Sequence, residues 1–254
     1  MVPFTTLRAF NQSELRPLAS YRGRVDERAA SVFASDSLVD RLVRALAARR
    51  AIAVKEVAES FEFFGRTRRR LRAPRMVDLG AGHGLAGILF AVFEPVVAEV
   101  LLVDRRQPAC HRAVLAAAVA VAPWIADKVR YFEMSLRAAE ADPPAVDAVL
   151  AVHNCGKRTD RAIAIAIAQE ARLAAMPCCY GHTTPPGLAA LERALGARTA
   201  TDIDRTYRLL GAGYEVDWAF IPEAITPMNR ILVACPRGRP ESSGPGARRQ
   251  AAAA

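Results

Sequence analysis

The chain contains no hydrophobic run long enough to span a membrane, although 52% of its 254 residues are hydrophobic. That composition is sufficient to bury a large core in a single compact enzyme domain. The N-terminal residues also lack the apolar segment of a secretion signal. The sequence therefore predicts a cytoplasmic protein.

Lysine is scarce, because only Lys55, Lys128 and Lys157 occur among the 35 basic side chains. The net charge of +9 is thus carried by arginine. It predicts either an anionic partner or merely an arginine-rich proteome. Disulfide motifs are lacking as well, and an odd number of cysteines without a small-scaffold framework indicates reduced thiols. The five cysteines are Cys110, Cys155, Cys178, Cys179 and Cys235.

Residues 75–84, which read RMVDLGAGHG, carry the most informative pattern. A short apolar strand runs into a glycine-rich turn, with Asp78 just before the turn. Glycines at alternate positions permit positive φ angles and let a ligand approach the backbone closely. The following helix directs its N-terminus at the same place. The pattern predicts a site for a nucleoside-containing cofactor.

The same residues match two templates. Residues 82–87, GHGLAG, fit the dinucleotide fingerprint, with Asp104 where a ribose-binding acid is expected. In that register Asp78 and Gly80 would lie inside the strand. The other register, D-x-G-x-G-x-G from Asp78, resembles the first motif of class I S-adenosylmethionine-dependent methyltransferases. A carboxylate there suits the ammonium group of that cofactor and would repel a pyrophosphate.

Asp104 ends the next apolar run and is followed by two arginines. An acid at the carboxyl end of a strand can accept both ribose hydroxyls, and class I methyltransferases resemble dinucleotide enzymes in this respect. A helix cap or a solvated strand end is the alternative. We predict that the cofactor is bound by Asp78, Gly80, Ala81, Gly82, Gly84, Asp104, Met134 and Ser135.

Strands and helices alternate after residue 74, which predicts an α/β protein. We expect a Rossmann-like, doubly wound, mostly parallel seven-stranded sheet that binds ligands at the carboxyl ends of its strands. The expected strands are 75–79, 99–104, 128–133, 146–152, 174–180, 213–220 and 229–235. The expected helices are 85–95, 108–122, 160–173 and 187–196, the third capped by Thr159 or Asp160. Residues 1–74 form a helical, basic N-terminal extension with helices at 38–48 and 51–64, residues 75–236 the cofactor-binding domain, and 237–254 a disordered tail.

A second pair of motifs follows two of the central strands. Residues 153–160 read H-x-C-G-x-x-T-D and residues 177–181 read P-C-C-Y-G. Together with the glycine turn, over residues 52–182, they resemble the methyltransferase domain shared by acceptor-stem tRNA ribose 2′-O-methyltransferases and a glutathione S-transferase-like protein. The resemblance implies S-adenosylmethionine and methyl transfer. It does not fix the substrate.

Three residues of these motifs are candidate catalytic groups. His153 is either a general base or a rim histidine. Asn154 would present its amide oxygen to the acceptor or the cofactor. Tyr180 either faces the sulfonium or packs at a strand end. Asp160 is better explained as a helix cap than as a catalyst.

Cys155, Cys178, Cys179 and His182 have the right chemistry for zinc, but their spacing is poor. Adjacent cysteines seldom bind one ion together, and no C-x-x-C occurs. We therefore predict no metal, with Cys178 and Cys179 as small buried strand residues, one on each face.

The sequence as a whole predicts direct in-line methyl transfer to an oxygen or nitrogen nucleophile. RNA is the first candidate acceptor and a small metabolite the second. The rival classes are a nicotinamide-dependent oxidoreductase, for which no Tyr-x-x-x-Lys pair is present, and a non-catalytic RNA-binding protein. The RNA hypothesis depends on whether one cleft gathers Arg66, Arg68, Arg69, Arg70, Arg72, Arg75, Arg105, Arg106, Lys157 and Arg158.

Overall fold

The computed structural model describes residues 2–180 and 188–238. Gly181, His182 and all but the first two residues of the expected tail lie outside these ranges. After two short 3-10 helices, the α-helices are α1 Glu27–Ala30, α2 Leu38–Ala48, α3 Val54–Leu71, α4 Leu85–Phe93, α5 Ala109–Val121, α6 Leu136–Ala141, α7 Lys157–Ala168 and α8 Ala189–Gly211. The strands are β1 Arg75–Leu79, β2 Glu99–Asp104, β3 Val129–Glu133, β4 Ala148–Val152, β5 Arg172–Met176, β6 Tyr214–Phe220 and β7 Arg230–Pro236.

The strands form one seven-stranded sheet in the order β3-β2-β1-β4-β5-β7-β6. The first five strands are parallel, whereas β7 runs antiparallel to both β5 and β6. The expected α/β fold with a mostly parallel sheet is confirmed. Its order differs from the 3-2-1-4-5-6 order of dinucleotide-binding folds, because β7 is inserted between β5 and β6.

Two hydrophobic clusters cover the two faces of the sheet. Alternate side chains of one strand enter different clusters, as Met76 and Val77 of β1 do. The cluster of Met76 is completed by α2 to α5 and by the N-terminal segment, including Phe4 and Phe10. The cluster of Val77 is completed by α6, α7 and α8. Residues before the first strand thus supply much of one layer of the fold.

The N-terminal segment is attached to α3 by Glu62. This carboxylate is fully buried and accepts backbone N–H groups of Thr5 at 2.9 Å, Thr6 at 2.8 Å and Leu7 at 3.0 Å. Three N–H donors around one carboxylate satisfy backbone groups that have no helical or sheet partner. Glu62 therefore fixes the segment that carries Phe4 and Phe10 into the core.

Several predicted boundaries were wrong for identifiable reasons. Helix α7 ends at Ala168 and not at 173, because Glu170 turns the chain with a positive φ of 48° before β5 begins. The predicted Thr159 or Asp160 cap is replaced by Gly156. The Thr159 hydroxyl instead donates to the carbonyl of Asn154, and Asp160 pairs with the Arg205 guanidinium at 3.0 Å.

Two further boundaries differ beyond β5. This strand ends at Met176, so Cys178 and Cys179 follow the strand and were wrongly predicted to lie in it. Helix α8 continues past residue 196 to Gly211, because Gly196 takes a non-helical conformation with φ of 79° and the helix resumes after this kink. In the described part of the chain, every helix is too short or too polar to cross a bilayer.

Candidate active site

The glycine turn joins β1 to α4 at the carboxyl edge of the sheet. Strand β1 ends at Leu79, and the backbone N–H groups of Gly80 and Ala81 both donate to the carbonyl of Val103 in β2, at 2.7 and 3.1 Å. Gly84 has left-handed φ and ψ angles and precedes α4 as its N-cap. The turn therefore begins at Gly80, which is the register that places Asp78 in the strand just before it.

Two glycines of the turn have distinct requirements. A Cβ on Gly80 would lie 2.1 Å from Oδ1 of Asn154, whose amide nitrogen donates to the carbonyl of Leu79. Gly82 has φ of 52°, and a Cβ there would meet no atom within 4 Å. Gly80 thus permits Asn154 to support the turn from below, whereas Gly82 faces open space where a ligand can approach.

Asp78 is buried beneath the turn. It is 1% exposed, and its Oδ2 accepts the N–H of Gly87 in α4 at 3.1 Å. Burial, helped by the charge of Asp104 and opposed by the Gly87 hydrogen bond, raises the pKa of Asp78 to about 7. A bound cation would favour its ionised form and is therefore a natural ligand for this position.

Asp104 lies at the end of β2, on the open side of the turn. Its Oδ2 accepts the N–H of Gly82 at 2.9 Å, and its Oδ1 accepts the N–H of Arg105 at 2.7 Å. A carboxylate has about four acceptor sites, so lone pairs stay available for a diol. Met134 adjoins this end of β2 through its N–H, which donates to the Asp104 carbonyl at 2.8 Å, while Ser135 caps α6.

A cavity of about 190 Å³ opens between the glycine turn and the first turns of α3. Three carboxylates line it, those of Asp78, Glu56 and Glu59. Complete small-molecule sites usually measure about 300–1,000 Å³, so this cavity accommodates only part of a nucleoside-containing cofactor. Its walls are formed by Glu56, Glu59, Ser60, Asp78, Gly80, Ala81, Gly82, His83, Ala86, Val152 and His153.

Glu59 and His153 form a dyad in the cavity wall. Oε2 of Glu59 lies 3.0 Å from Nε2 of His153, and the ammonium of Lys55 contacts the same carboxylate. Burial by itself would raise the pKa of Glu59, but the contacts with His153 and Lys55 outweigh it and lower that pKa. His153 has a positive φ of 59° just after β4, a backbone conformation that non-glycine residues rarely adopt outside functional sites.

Glu56, Glu59 and His83 are cavity residues that the sequence reasoning missed. The two glutamates belong to α3, where Glu59 lies on the apolar face, and a buried acid on such a face was the available signal. Nδ1 of His83 accepts the N–H of Leu85 at 3.1 Å, and burial lowers the pKa of His83. A neutral imidazole at this position avoids repelling a cationic ligand.

The turn is also braced from the β3 side. The Tyr131 hydroxyl donates to the carbonyl of Gly82 at 3.0 Å, and Nδ1 of His111 lies 3.1 Å from the carbonyl of His83. The two rings pack at 4.7 Å between centroids. These contacts hold the carbonyls of the turn away from the cavity.

The structure does not bring the three predicted catalytic residues to one point. His153 lines the cavity, whereas Asn154 is buried under Gly80. The Tyr180 hydroxyl donates to Asp202 of α8 at 2.7 Å, and its ring packs against the Arg205 guanidinium at 5.7 Å. Tyr180 is thus part of an ion-pair network between α7 and α8.

The basic residues divide between opposite edges of the sheet. The arginine run of α3 lies near the amino end of β1, where Arg70 pairs with Asp217 and Arg75 with Glu99. Arg68, Arg69 and Arg72 line a separate groove of about 850 Å³. Four exposed basic residues occupy the carboxyl edge instead: Arg105, Arg106, Lys157 and Arg158. The single cleft required by the sequence hypothesis is therefore not formed.

Comparison with solved structures relates the fold to known proteins. The cofactor-bound Rv0187 protein from MTB superimposes with a TM-score of 0.52 at 20% identity, over 82% of this chain and 96% of that one. At that identity the likeness shows the shared fold. No curated protein sequence matches the chain.

Two larger structures match only in part. A Pyrococcus horikoshii protein proposed to be a transferase has a TM-score of 0.44 at 16% identity, over 72% of this chain, and TnmH has 0.43 at 19%, over 76%. The chain spans 63% and 57% of the length of these two proteins.

A protein-family model described as a methyltransferase domain matches residues 52–184, just over half of the chain. The matched range begins just before α3 and contains the glycine turn, Asp104 and the residues that follow β4 and β5. It therefore covers the cavity described above. On this match, the chain belongs to the methyltransferase-domain family.

Proposed function

We propose that this protein transfers a methyl group from S-adenosylmethionine to an oxygen or nitrogen nucleophile. The observation that carries the proposal is the cavity beneath the glycine turn, lined by the carboxylates of Asp78, Glu56 and Glu59. Such a cavity attracts an ammonium or a sulfonium and repels a phosphate. It favours S-adenosylmethionine over a dinucleotide that would need the same turn.

The size and polarity of the site fit the two halves of that cofactor. A cavity of about 190 Å³ suits the methionyl part, with its ammonium toward Asp78. The nucleoside would lie across Gly82, where no side chain intervenes, with its ribose hydroxyls toward Asp104. When bound, the cofactor supplies a methyl group already activated by the positive charge on sulfur.

The chain's own residues would orient the reactants and remove a proton. Nε2 of His153 is directed to Glu59, so Nδ1 is the nitrogen left to accept a proton from the acceptor. The Glu59 carboxylate holds the imidazole in that tautomer and stabilises the imidazolium that forms. Most of the rate enhancement would come from proximity and orientation, because the donor needs no further activation.

RNA is a second part of the proposal, as the acceptor. It is supported by the four basic residues of the carboxyl edge, which flank the site and form no ion pair with any residue in the described ranges. A phosphate backbone is the partner that such a rim would bind. The arginine run of α3 gives no support, since it lies at the opposite edge and is largely ion-paired.

The test is a calorimetric titration with S-adenosylmethionine, S-adenosylhomocysteine and NAD side by side. We expect both sulfur compounds to bind with one site per chain and NAD not to bind. Comparable binding of NAD would replace the proposal by an oxidoreductase. The absence of binding by all three would support a non-catalytic protein.

A further inference from the structure

Three cysteines meet beside the candidate active site. Cys155 follows β4, whereas Cys178 and Cys179 follow the neighbouring parallel strand β5. Their three Sγ atoms all lie within 4.8 Å of one another, and Cys155 Sγ lies 2.7 Å from Cys178 Sγ. Unbonded carbon atoms pack at roughly 3.5–4.0 Å, and sulfur is larger, so these sulfurs are closer than separate thiols would be. The arrangement needs an atom or a bond that joins them.

We propose that these three cysteines form a thiolate site for a soft d¹⁰ cation, with Zn²⁺ as the ion. Zinc–sulfur bonds measure about 2.3 Å, which separates two sulfurs on a tetrahedral ion by roughly 3.8 Å. The observed range, from 2.7 to 4.8 Å, brackets that separation. Sulfur ligands select Zn²⁺ or Cu⁺ over hard cations such as Mg²⁺.

The spacing argument against a metal assumed that adjacent cysteines occupy a strand and point to opposite faces. Strand β5 ends at Met176, so Cys178 and Cys179 are free of that alternation. Their backbone can turn both sulfurs toward the loop that carries Cys155. The sequence pattern therefore excluded a geometry that the end of the strand makes available.

The surroundings stabilise thiolates. Cys155 directly precedes Gly156, the N-cap of the twelve-residue helix α7, whose N-terminus carries a partial positive charge. Lys157 and Arg158 follow at once, and Arg158 acts on Cys179 to lower the pKa of that thiol, although hydrogen bonding with Cys155 and burial raise it overall. A Zn²⁺ ion with three thiolates has a net charge of −1, which these groups offset.

Binding has a simple balance. Three S–H bonds break, three Zn–S bonds form, and three protons pass to the buffer. Cys179 is exposed, which gives the ion a route from solvent. Within residues 2–180 and 188–238 no further His, Asp or Glu joins the group, so the fourth position is available to an external ligand. The ion would tie the β4–α7 loop, which carries His153, to the chain after β5.

The test uses the full chain, reduced with a phosphine and freed of metal, and titrated with Zn²⁺ and Co²⁺ in the absence of cofactor and acceptor. We expect one ion per chain by native mass spectrometry. Bound Co²⁺ should give a thiolate charge-transfer band, whose intensity counts the sulfur ligands without any mutation. Cys155→Ser, Cys178→Ser and Cys179→Ser should each weaken binding by more than about 10-fold, the loss that follows even from changing a residue that only supports a ligand.

Matched controls are Cys110→Ser and Cys235→Ser, which remove the two cysteines outside the cluster and should leave affinity unchanged. Metal uptake that survives all three cluster variants would overturn the proposal. So would a reduced protein that takes up no ion, or one that re-forms only a Cys155–Cys178 disulfide on exposure to oxygen. Because no methyl transfer is measured, these outcomes are independent of those for the proposed function.

Discussion

Nε2 of His153, at the end of β4, lies 3.0 Å from Oε2 of Glu59 in α3. This contact joins a residue of the predicted N-terminal extension to one that follows a central strand. It closes the cavity on the side opposite the glycine turn. The helical segment before the first strand therefore completes the site and also covers the sheet.

The first prediction concerns this dyad. His153→Ala should lower kcat by about 10²–10⁴-fold, the usual contribution of a general base. Glu59→Gln should lower kcat by a smaller factor, because the imidazole stays in place but loses the charge that stabilises its protonated form. Steady-state kinetics with the identified acceptor provides the measurement.

Cofactor affinity in the two dyad variants is the control, measured by calorimetry, and it should change little. Loss of cofactor binding together with kcat would mean that the dyad only shapes the cavity. A kcat that neither substitution changes would exclude His153 as the base.

The second prediction follows from the buried carboxyl group of Asp78. An unfolded aspartate has a pKa of about 3.9, whereas burial raises the native value to about 7. Between these values the unfolded chain has lost the proton that the native state keeps, so the free energy of unfolding should fall as pH rises. Above about pH 7 the dependence should level off. Urea unfolding across this range provides the measurement.

Asp78→Asn is the matched variant, because an amide can still accept the N–H of Gly87 but does not titrate. Its stability should depend less on pH over this window than that of the wild type. Equal slopes in the two proteins would show that Asp78 ionises normally in the native state.

Glu62 supports a third prediction, on stability alone. Glu62→Ala leaves the N–H groups of Thr5, Thr6 and Leu7 without their acceptor and should lower the free energy of unfolding by about 1–3 kcal/mol. Glu14→Ala, at an exposed position of the same segment, should have little effect. If both variants unfolded at the wild-type denaturant concentration, Glu62 would not be the anchor of the N-terminal segment.

The fourth prediction separates the two groups of basic residues. If RNA is the acceptor, replacing Arg105, Arg106 and Lys157 with Gln should weaken binding and flatten its dependence on salt by about 0.9 per phosphate contact in a duplex. Replacing Arg69, Arg70 and Arg72 should leave the slope unchanged, because they lie at the other edge. An RNA-binding assay across salt concentrations checks this. A slope that responds only to the α3 variants would reverse the assignment.

How well each feature could be predicted depends on the range of the interactions that determine it. The strand from Arg75 to Leu79 and the glycine turn are set by neighbouring residues, so the sequence predicts both, and with them the position of Asp78. The role of Glu59 depends on a partner 94 residues away. No local pattern distinguishes it from a glutamate on a solvated helix face.

Long-range pairing also explains the two weakest predictions. The arginines of α3 form a dense run in the sequence, but acids brought close by the fold, such as Asp217 and Glu94, neutralise several of them. Tyr180 follows a strand near the expected site, yet the buried Asp202 holds its hydroxyl within the α7–α8 network. Both acids come from distant parts of the chain, so nothing near these residues in the sequence indicates their partners.

The most direct test of the central claim is a titration of S-adenosylmethionine into the wild type, Gly82→Val and Asp104→Asn. A valine at Gly82 would meet no protein atom near its Cβ and would occupy the space assigned to the cofactor. We predict that this variant folds, since the space is open, and fails to bind. Asp104→Asn should bind more weakly by about 1–3 kcal/mol, the cost of poorly paired ribose hydroxyls. Wild-type affinity in a folded Gly82→Val variant would contradict the assignment of the cofactor to this turn.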